Sequence, residues 1–280
     1  MKLKFTKMHG CGNDYIYINC LEKEIEYDLK KLAIKLSDRH FGVGGDGIVL
    51  ICKSGEADVF MRMFNADGSE GKMCGNAIRC VAKYAYEKVG IKKQEMKIQT
   101  LSGIKTLFLT IEEEKVVTVK VNMGVADFNA NSMPLDVAKK EVVNEKVMVL
   151  GREYFVTCVS MGNPHCVVFL KGVLDLDVNS LGAEFEKLPL FKEEVNIEFV
   201  EKKSDDEIIM RVYERGSKET LACGTGACAA VSAMVKNNLC KQNDKIAVNL
   251  LGGKLTISFE EDGVKMVGPA EKVFEGEVEI

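Results

Sequence analysis

Short runs of alternating apolar and polar residues begin almost at the N-terminus. Residues 2–7 and 14–19 read as strands separated by the turn Gly10-Cys-Gly-Asn. The period then becomes helical. Asp28 can cap a helix whose apolar positions Leu29, Leu32, Ala33 and Leu36 share one face, with an end near Gly42. Residues 48–52 and 58–64 return to strand character. A helix follows over 75–88, with Gly90 placed to terminate it, and residues 97–100, 105–111 and 116–121 alternate again as strands. The second half repeats this order less completely. Residues 154–160, 166–170, 195–201 and 207–213 are strand-like, an alanine-rich helix follows Cys223, and 245–250 and 254–259 alternate. Residues 125–151 have the mixed polar composition of a crossover. The segment 266–274 echoes 122–128, so the last strand is expected to return to the first domain.

Two passages are near-copies. Met61-Arg-Met-Phe-Asn-Ala-Asp-Gly-Ser-Glu-Gly-Lys-Met-Cys74-Gly-Asn aligns, with no gap inside the passage, with Met210-Arg-Val-Tyr-Glu-Arg-Gly-Ser-Lys-Glu-Thr-Leu-Ala-Cys223-Gly-Thr, 149 positions on (223 less 74, and equally 210 less 61). Met, Arg, Glu, Cys and Gly recur in place. Gly12-Asn13-Asp14 matches Gly162-Asn163-Pro164 at an offset of 150 (162 less 12). Both helices after the repeated cysteines have few charges in their first turns, so each is expected to be buried inside its half. The expected fold is α/β in the α+β sense: two similar domains, each a sheet wrapped around a central helix. The expected boundaries are 1–124 with 268–280 for one domain and 125–267 for the other.

A chain of 280 residues accommodates two domains. A net charge of −4 with no basic run gives no footprint for nucleic acid, and no apolar run reaches the length of a membrane span. The first residues lack a signal-peptide core, so a cytoplasmic location is expected. Ten cysteines are many, yet no C-x-x-C occurs, and the three histidines (His9, His40, His165) are not spaced with them as in zinc sites. No metal is expected. No Walker loop or dinucleotide fingerprint appears either, so no cofactor is expected. An unbridged cysteine is ordinarily a small buried hydrophobe, and Cys20, Cys52, Cys80, Cys158, Cys166, Cys228 and Cys240 are read so.

Cys74 and Cys223 differ from these because each opens a helix. Helix starts carry unpaired N–H groups and partial positive charge, which favour thiolate and bind carboxylates. Two such thiols suit an acid–base pair acting on opposite faces of one carbon. Gly75 and Gly224 let the backbone approach a ligand. Asn13, Asn65, Asn163 and Asn196 lie at turns or strand ends, where asparagine is ordinarily structural. His165 has the same ordinary reading. The halves diverge just past the strand, where Glu214 and Arg215 stand opposite Asn65 and Ala66, which points to an asymmetric ligand with a carboxylate for Arg215 to grip. A cysteine hydrolase would leave the second cysteine unexplained.

With Met8-His-Gly-Cys-Gly-Asn-Asp-Tyr, Phe64-Asn-Ala-Asp-Gly-Ser-Glu, Cys74-Gly-Asn, Met161-Gly-Asn-Pro-His-Cys, Tyr213-Glu-Arg-Gly and Ala222-Cys-Gly-Thr-Gly-Ala-Cys in order, the chain resembles the diaminopimelate epimerases along essentially its whole length. The resemblance implies a pyridoxal-independent isomerase of LL- and meso-2,6-diaminopimelate, serving lysine and cell-wall synthesis. It implies barrel-like sheets with the site in an interdomain cleft. Cys74 and Cys223 become the acid–base thiols. Asn13, Asn65, Asn163, Asn196, Glu214 and Arg215 become substrate contacts, and the backbones at Gly75, Asn76, Gly224 and Thr225 the carboxylate cradle. His165 and Glu214 become polar partners of the thiols. The expected partners are a small-molecule substrate and a second copy of the chain in a homodimer, with neither nucleic acid nor membrane. Relatives resembling this fold that racemise proline, hydroxyproline or histidine are the nearest rival.

Overall fold

The computed structural model describes residues 2–280. They form two compact units, one running to Val121 and resuming at Val267–Ile280, the other spanning Asn122–Met266. The first unit contains β1 (Lys2–Gly10), β2 (Asn13–Cys20), α1 (Leu29–Ser37), β3 (Gly47–Cys52), β4 (Val59–Asn65), β5 (Glu70–Gly71), α2 (Gly75–Tyr84), β6 (Glu95–Thr100), β7 (Gly103–Glu112) and β8 (Lys115–Asn122). The second contains β9 (Glu145–Val149), β10 (Arg152–Ser160), β11 (Pro164–Phe169), α3 (Val178–Glu186), β12 (Asn196–Lys202), β13 (Glu207–Glu214), β14 (Lys218–Thr220), α4 (Gly224–Lys236), β15 (Lys245–Leu250) and β16 (Gly253–Glu260). After β17 (Gly263–Gly268), β18 (Glu271–Glu279) lies antiparallel along the whole of β1.

The pairings are duplicated. β2 and β3 are parallel, with Tyr15 opposite Gly47; β11 and β12 are parallel, with His165 opposite Asn196. β4 runs parallel to β6, and β13 to β15. Inside each unit the sheet curls around one helix. α2 packs on β1, β2, β6 and β7, and α4 on β10, β11, β12, β13 and β16. Alternation explains the layers: Tyr17 points inward, its hydroxyl donating to Ala77 O at 3.4 Å, while Ile16, Ile18 and Cys20 face outward onto Leu32, Ala33 and Leu36 of α1.

The structure adds elements and moves boundaries. The outer helix α3 was not among the expected elements. Asp177 caps it by accepting from Ser180 N at 3.0 Å, and it packs Phe185 onto the β10–β13 face. Asp177 lies 149 positions after Asp28, the cap of α1, so the repeat contained the signal. The expected crossover 125–151 carries strand β9, paired with β10. α1 stops at Ser37, short of Gly42, because the amides of Val43 and Gly44 turn back to Leu36 O and that of Gly45 to Ser37 O. α2 continues as a π-turn over Ala85–Val89 and ends at Gly90, whose φ of 86° is the left-handed cap.

Gly182 sits where α3 crosses β13, and a Cβ there would meet the Tyr213 ring at 2.4 Å. Helix propensity alone makes Gly→Ala stabilising by up to about 1 kcal/mol. Overpacking opposes it, so Gly182→Ala is expected to destabilise by about 1–3 kcal/mol, read as a lower urea midpoint at unchanged slope. A raised midpoint contradicts the close crossing.

Candidate active site

Each repeated passage ends in the same braced hairpin. Arg62 Nε bonds Glu70 Oε1 at 2.8 Å across β4 and β5, and Arg211 Nε bonds Glu219 Oε1 at 2.7 Å across β13 and β14. The Arg and Glu that recur in the repeat are therefore one structural pair, and it delivers the chain to a cysteine at a helix N-cap in both units. Cys74 caps α2 with an extended backbone (φ −138°, ψ 124°) and Cys223 caps α4 likewise (φ −114°, ψ 110°).

In the first unit, the half-buried Cys74 donates from Sγ to Asn13 Oδ1 at 3.4 Å. The Asn13 amide is oriented from behind, because its Nδ2 donates to Asp46 Oδ2 at 2.7 Å. Arg39 grips Asp46 and, with two bonds, Asp14, while Lys7 pairs with Asp14 from the buried side. Burial pushes the Asp14 carboxyl up, but Arg39 and Lys7 outweigh it and hold it below the usual range. Asp46 is instead raised, by burial and by the charge of Asp14. Asn65 ends β4 opposite Gly47 and donates to Ser69 Oγ at 3.0 Å. Behind the first turn of α2 lies Arg79, 0% exposed, donating to Gly75 O and Asn76 Oδ1 at 3.0 Å each and to Pro269 O at 3.1 Å. The Asn76 side chain is thus turned inward, which leaves its backbone to act at the helix start.

In the second unit, a polar chain leads away from the thiol. Cys223 Sγ lies 3.4 Å from Thr225 Oγ1 and accepts from Gly226 N at 3.3 Å. Asn163 Nδ2 donates to Thr225 Oγ1 at 3.4 Å, so Asn163 Oδ1 faces His165 Nε2, at 3.1 Å. A carbonyl oxygen only accepts, so Nε2 carries a hydrogen, and a second proton is shared between His165 Nδ1 and Glu198 Oε1, 2.6 Å apart. His165 is 1% exposed and Glu198 0%. The other Glu198 oxygen, Oε2, has no hydrogen-bond partner among the described residues. Gly226 makes room for this carboxyl: a Cβ there would meet Glu198 Oε1 at 2.7 Å. Glu214 accepts from Thr220 Oγ1 and is raised, chiefly by burial.

Electrostatics correct one expectation. A helix start was expected to favour thiolate, but Cys223 is held well above the usual thiol range, first by burial and then by the charges of Glu214 and Glu198. Its bonds from Thr225 and Gly226 oppose this without overcoming it. Cys223 rests as the neutral thiol.

Asn196 spends its amide within the protein. It donates from Nδ2 to Pro164 O and accepts from Arg215 N, both at 3.0 Å, and so fixes the turn that carries Arg215. The Arg215 side chain is exposed, with no hydrogen bond or ion pair to its guanidinium among the described residues. Gly224 is buried at the first position of α4, beside Thr225. Among the described residues no group of three or more His, Cys, Asp or Glu could hold a metal ion, and no helix is long and apolar enough to cross a membrane.

A sequence profile described as "Diaminopimelate epimerase" matches residues 5–129 and 157–273. The chain belongs to the diaminopimelate epimerase family. A diaminopimelate epimerase of Acetivibrio thermocellus is 49% identical over 280 residues, covering 99% of each chain. One from Methanococcus maripaludis strain C5 is 48% identical, covering 99% of this chain and 100% of its own. Membership of this family makes the chain an isomerase. Among solved structures, a Bacillus anthracis protein of the phenazine biosynthesis PhzF family shares the fold, with a TM-score of 0.72 at 17% identity and full coverage of both chains.

Among the polar residues of this epimerase-family site that were not singled out from sequence are Asp46, Arg79 and Glu198. Glu198 had a visible signal, a lone acid inside the apolar run Ile197–Val200 of a strand buried on both faces. The charge of Glu214 is the largest electrostatic contribution, after burial, to the resting thiol at Cys223. Replacing it with Gln removes that charge, so Glu214→Gln is expected to move the pH profile of Cys223 alkylation by iodoacetamide to lower pH. A profile that stays put, or moves up, contradicts the assigned cause.

Proposed function

We propose that the chain interconverts LL- and meso-2,6-diaminopimelate by two-base proton transfer at the α-carbon, with Cys74 and Cys223 addressing opposite faces. One observation carries this reading: a cysteine recurs at the N-cap of the central helix in both units, within a chain of this family. The thiolate form of one cysteine removes the α-proton, and the thiol of the other delivers a proton to the opposite face. The negative charge that develops on the substrate carboxylate falls on the helix-start amides around Gly75, Asn76, Gly224 and Thr225. One turnover leaves the two sulfurs with exchanged protonation, which prepares the enzyme for the reverse direction. The neutral resting state of Cys223 supports its acting as proton donor to the isomer that meets the unliganded enzyme.

The chain Thr225–Asn163–His165–Glu198 supports a role for His165 in setting the charge around Cys223, with Glu214 beside it. Asn13 orients Cys74. Arg215 supports recognition of the distal carboxylate, because its exposed guanidinium stands on a turn that Asn196 fixes. Asn65 and Asn163 complete the polar contacts. A homodimer in the cytoplasm is part of the same reading, and light scattering on a sizing column measures the dimer.

The test is turnover of LL-diaminopimelate in D₂O with no added cofactor, followed by chiral chromatography and loss of the α-proton signal. Cys74→Ala and Cys223→Ala are each expected to lower epimerisation by at least about 10²–10⁴-fold with the circular dichroism spectrum retained. Near-normal turnover by either variant overturns the two-base reading. Arg215→Met is expected to lower kcat/KM for diaminopimelate by roughly 10²-fold, as a charge-assisted contact to a carboxylate is worth about 1.5–3 kcal/mol. If the unaltered chain racemises alanine or proline as efficiently as diaminopimelate, the distal role of Arg215 is wrong and the thiol pair can still stand.

A further inference from the structure

Two pairs of cysteines outside the proposed site are direct partners on neighbouring strands. Cys20 pairs with Cys52 across parallel β2 and β3, and Cys158 with Cys166 across antiparallel β10 and β11. Paired residues on adjacent strands project to the same face, and the strands lie about 4.8 Å apart. That spacing falls within the range of roughly 4.4–6.8 Å between α-carbons that a disulfide bridges. The settings of the two pairs differ. Cys158 and Cys166 are 1% and 0% exposed, in mid-strand, within the core that α3 covers. Cys20 and Cys52 are the last residues of their strands, where the backbone can shift most easily. Cys52 is half-buried, and both sulfur-bearing residues line a cavity of about 400 Å³ together with Glu24, Lys53, Phe60 and Arg62.

The local charges divide the labour between the two sulfurs. A hydrogen bond from the Cys20 thiol, aided by the Arg62 guanidinium, holds Cys52 below the usual thiol range against its partial burial. The same bond, together with burial, holds Cys20 above it. Cys52 is also the more accessible of the two and shares the cavity with Arg62, so it is the sulfur placed to attack, with the buried Cys20 behind it for the second step.

We propose that Cys20 and Cys52 form a reversible oxidation site, a dithiol that small hydroperoxides convert to a disulfide. The Cys52 thiolate attacks one peroxide oxygen. The O–O bond breaks, hydroxide or alkoxide leaves, and Cys52 becomes a sulfenic acid. The Cys20 sulfur then attacks the Cys52 sulfur, the S–O bond breaks, and the hydroxyl departs as water with the Cys20 proton. The dithiol has lost two electrons and the peroxide has gained them. The bridge would lie at the strand ends beside the cavity, where a small thiol can reach it, so exchange reopens it.

The full-length chain is treated with hydrogen peroxide at neutral pH, and samples are alkylated under denaturing conditions, digested and analysed by mass spectrometry. A Cys20–Cys52 peptide link is expected, forming at least about tenfold faster than any Cys158–Cys166 link because reactivity follows thiolate character and access, and disappearing with dithiothreitol. In Cys20→Ser, Cys52 is expected to stop at the sulfenic acid and take up dimedone. Two results overturn the proposal: a Cys158–Cys166 link that forms as fast, or separate alkylation of Cys20 and Cys52 after other cysteines have oxidised.

Discussion

A helix enclosed by its own sheet begins in the interior, where its first amides and the polar groups beside them have no bulk water to meet. Everything around the two thiols answers that constraint. An unpaired buried polar group costs about 1–3 kcal/mol, so the first turns of α2 and α4 must be surrounded by groups that hold them in place. The polar groups buried beside the two helix starts carry opposite charges. α2 has a buried guanidinium, Arg79, tied to Gly75, Asn76 and Pro269. α4 has a buried carboxyl, Glu198, reached through Gly226 and tied to His165. The residue 149 positions beyond Arg79 is Cys228, and the one 149 before Glu198 is Val49, so neither charge has a counterpart in the other unit.

The duplication therefore preserves scaffolding and varies polarity. The Arg62–Glu70 and Arg211–Glu219 pairs are superposable in role, as are the Asp28 and Asp177 caps. Around the thiols the halves part. A cation lies behind the helix that Cys74 opens, whereas Cys223 is buried beside two carboxyl side chains, and that burial and those charges hold its thiol up. The surroundings of the two thiols thus differ while the backbone of the repeat is kept, an asymmetry of the kind that the proposed two-base reaction calls for.

Much of this was legible in the chain. The repeat located both central helices and both cysteines, and alternation located most strands. What escaped has physical reasons. Glu198 sits in a strand covered on both faces, where alternation carries no information about which side a polar residue serves. Arg79 reads as an exposed position of an amphipathic helix, yet α2 is enclosed on all sides. α3 is short, nine residues, and only its offset from α1 betrays it. The state of Cys223 could not come from its helix position, because the opposing carboxyls arrive from β12 and β13, far away in sequence.

The helix caps of the two units fall into a strong kind and a weak kind. Ser, Thr, Asp and Asn are the strong caps, worth typically about 1 kcal/mol over alanine. Asp28 and Asp177 occupy that position on the two outer helices and make the expected bonds. The central helices, which are the more deeply enclosed, carry cysteine instead. Cys223 accepts one long bond from Gly226, and Cys74 makes no side-chain cap bond at all. A thiol is a poor acceptor but a proton carrier whose affinity can be tuned by its neighbours, which a hydroxyl is not at neutral pH. The same fold thus uses aspartate where a helix end needs only to be satisfied, and a weakly bonded sulfur at the two caps to which the proposed reaction assigns proton exchange.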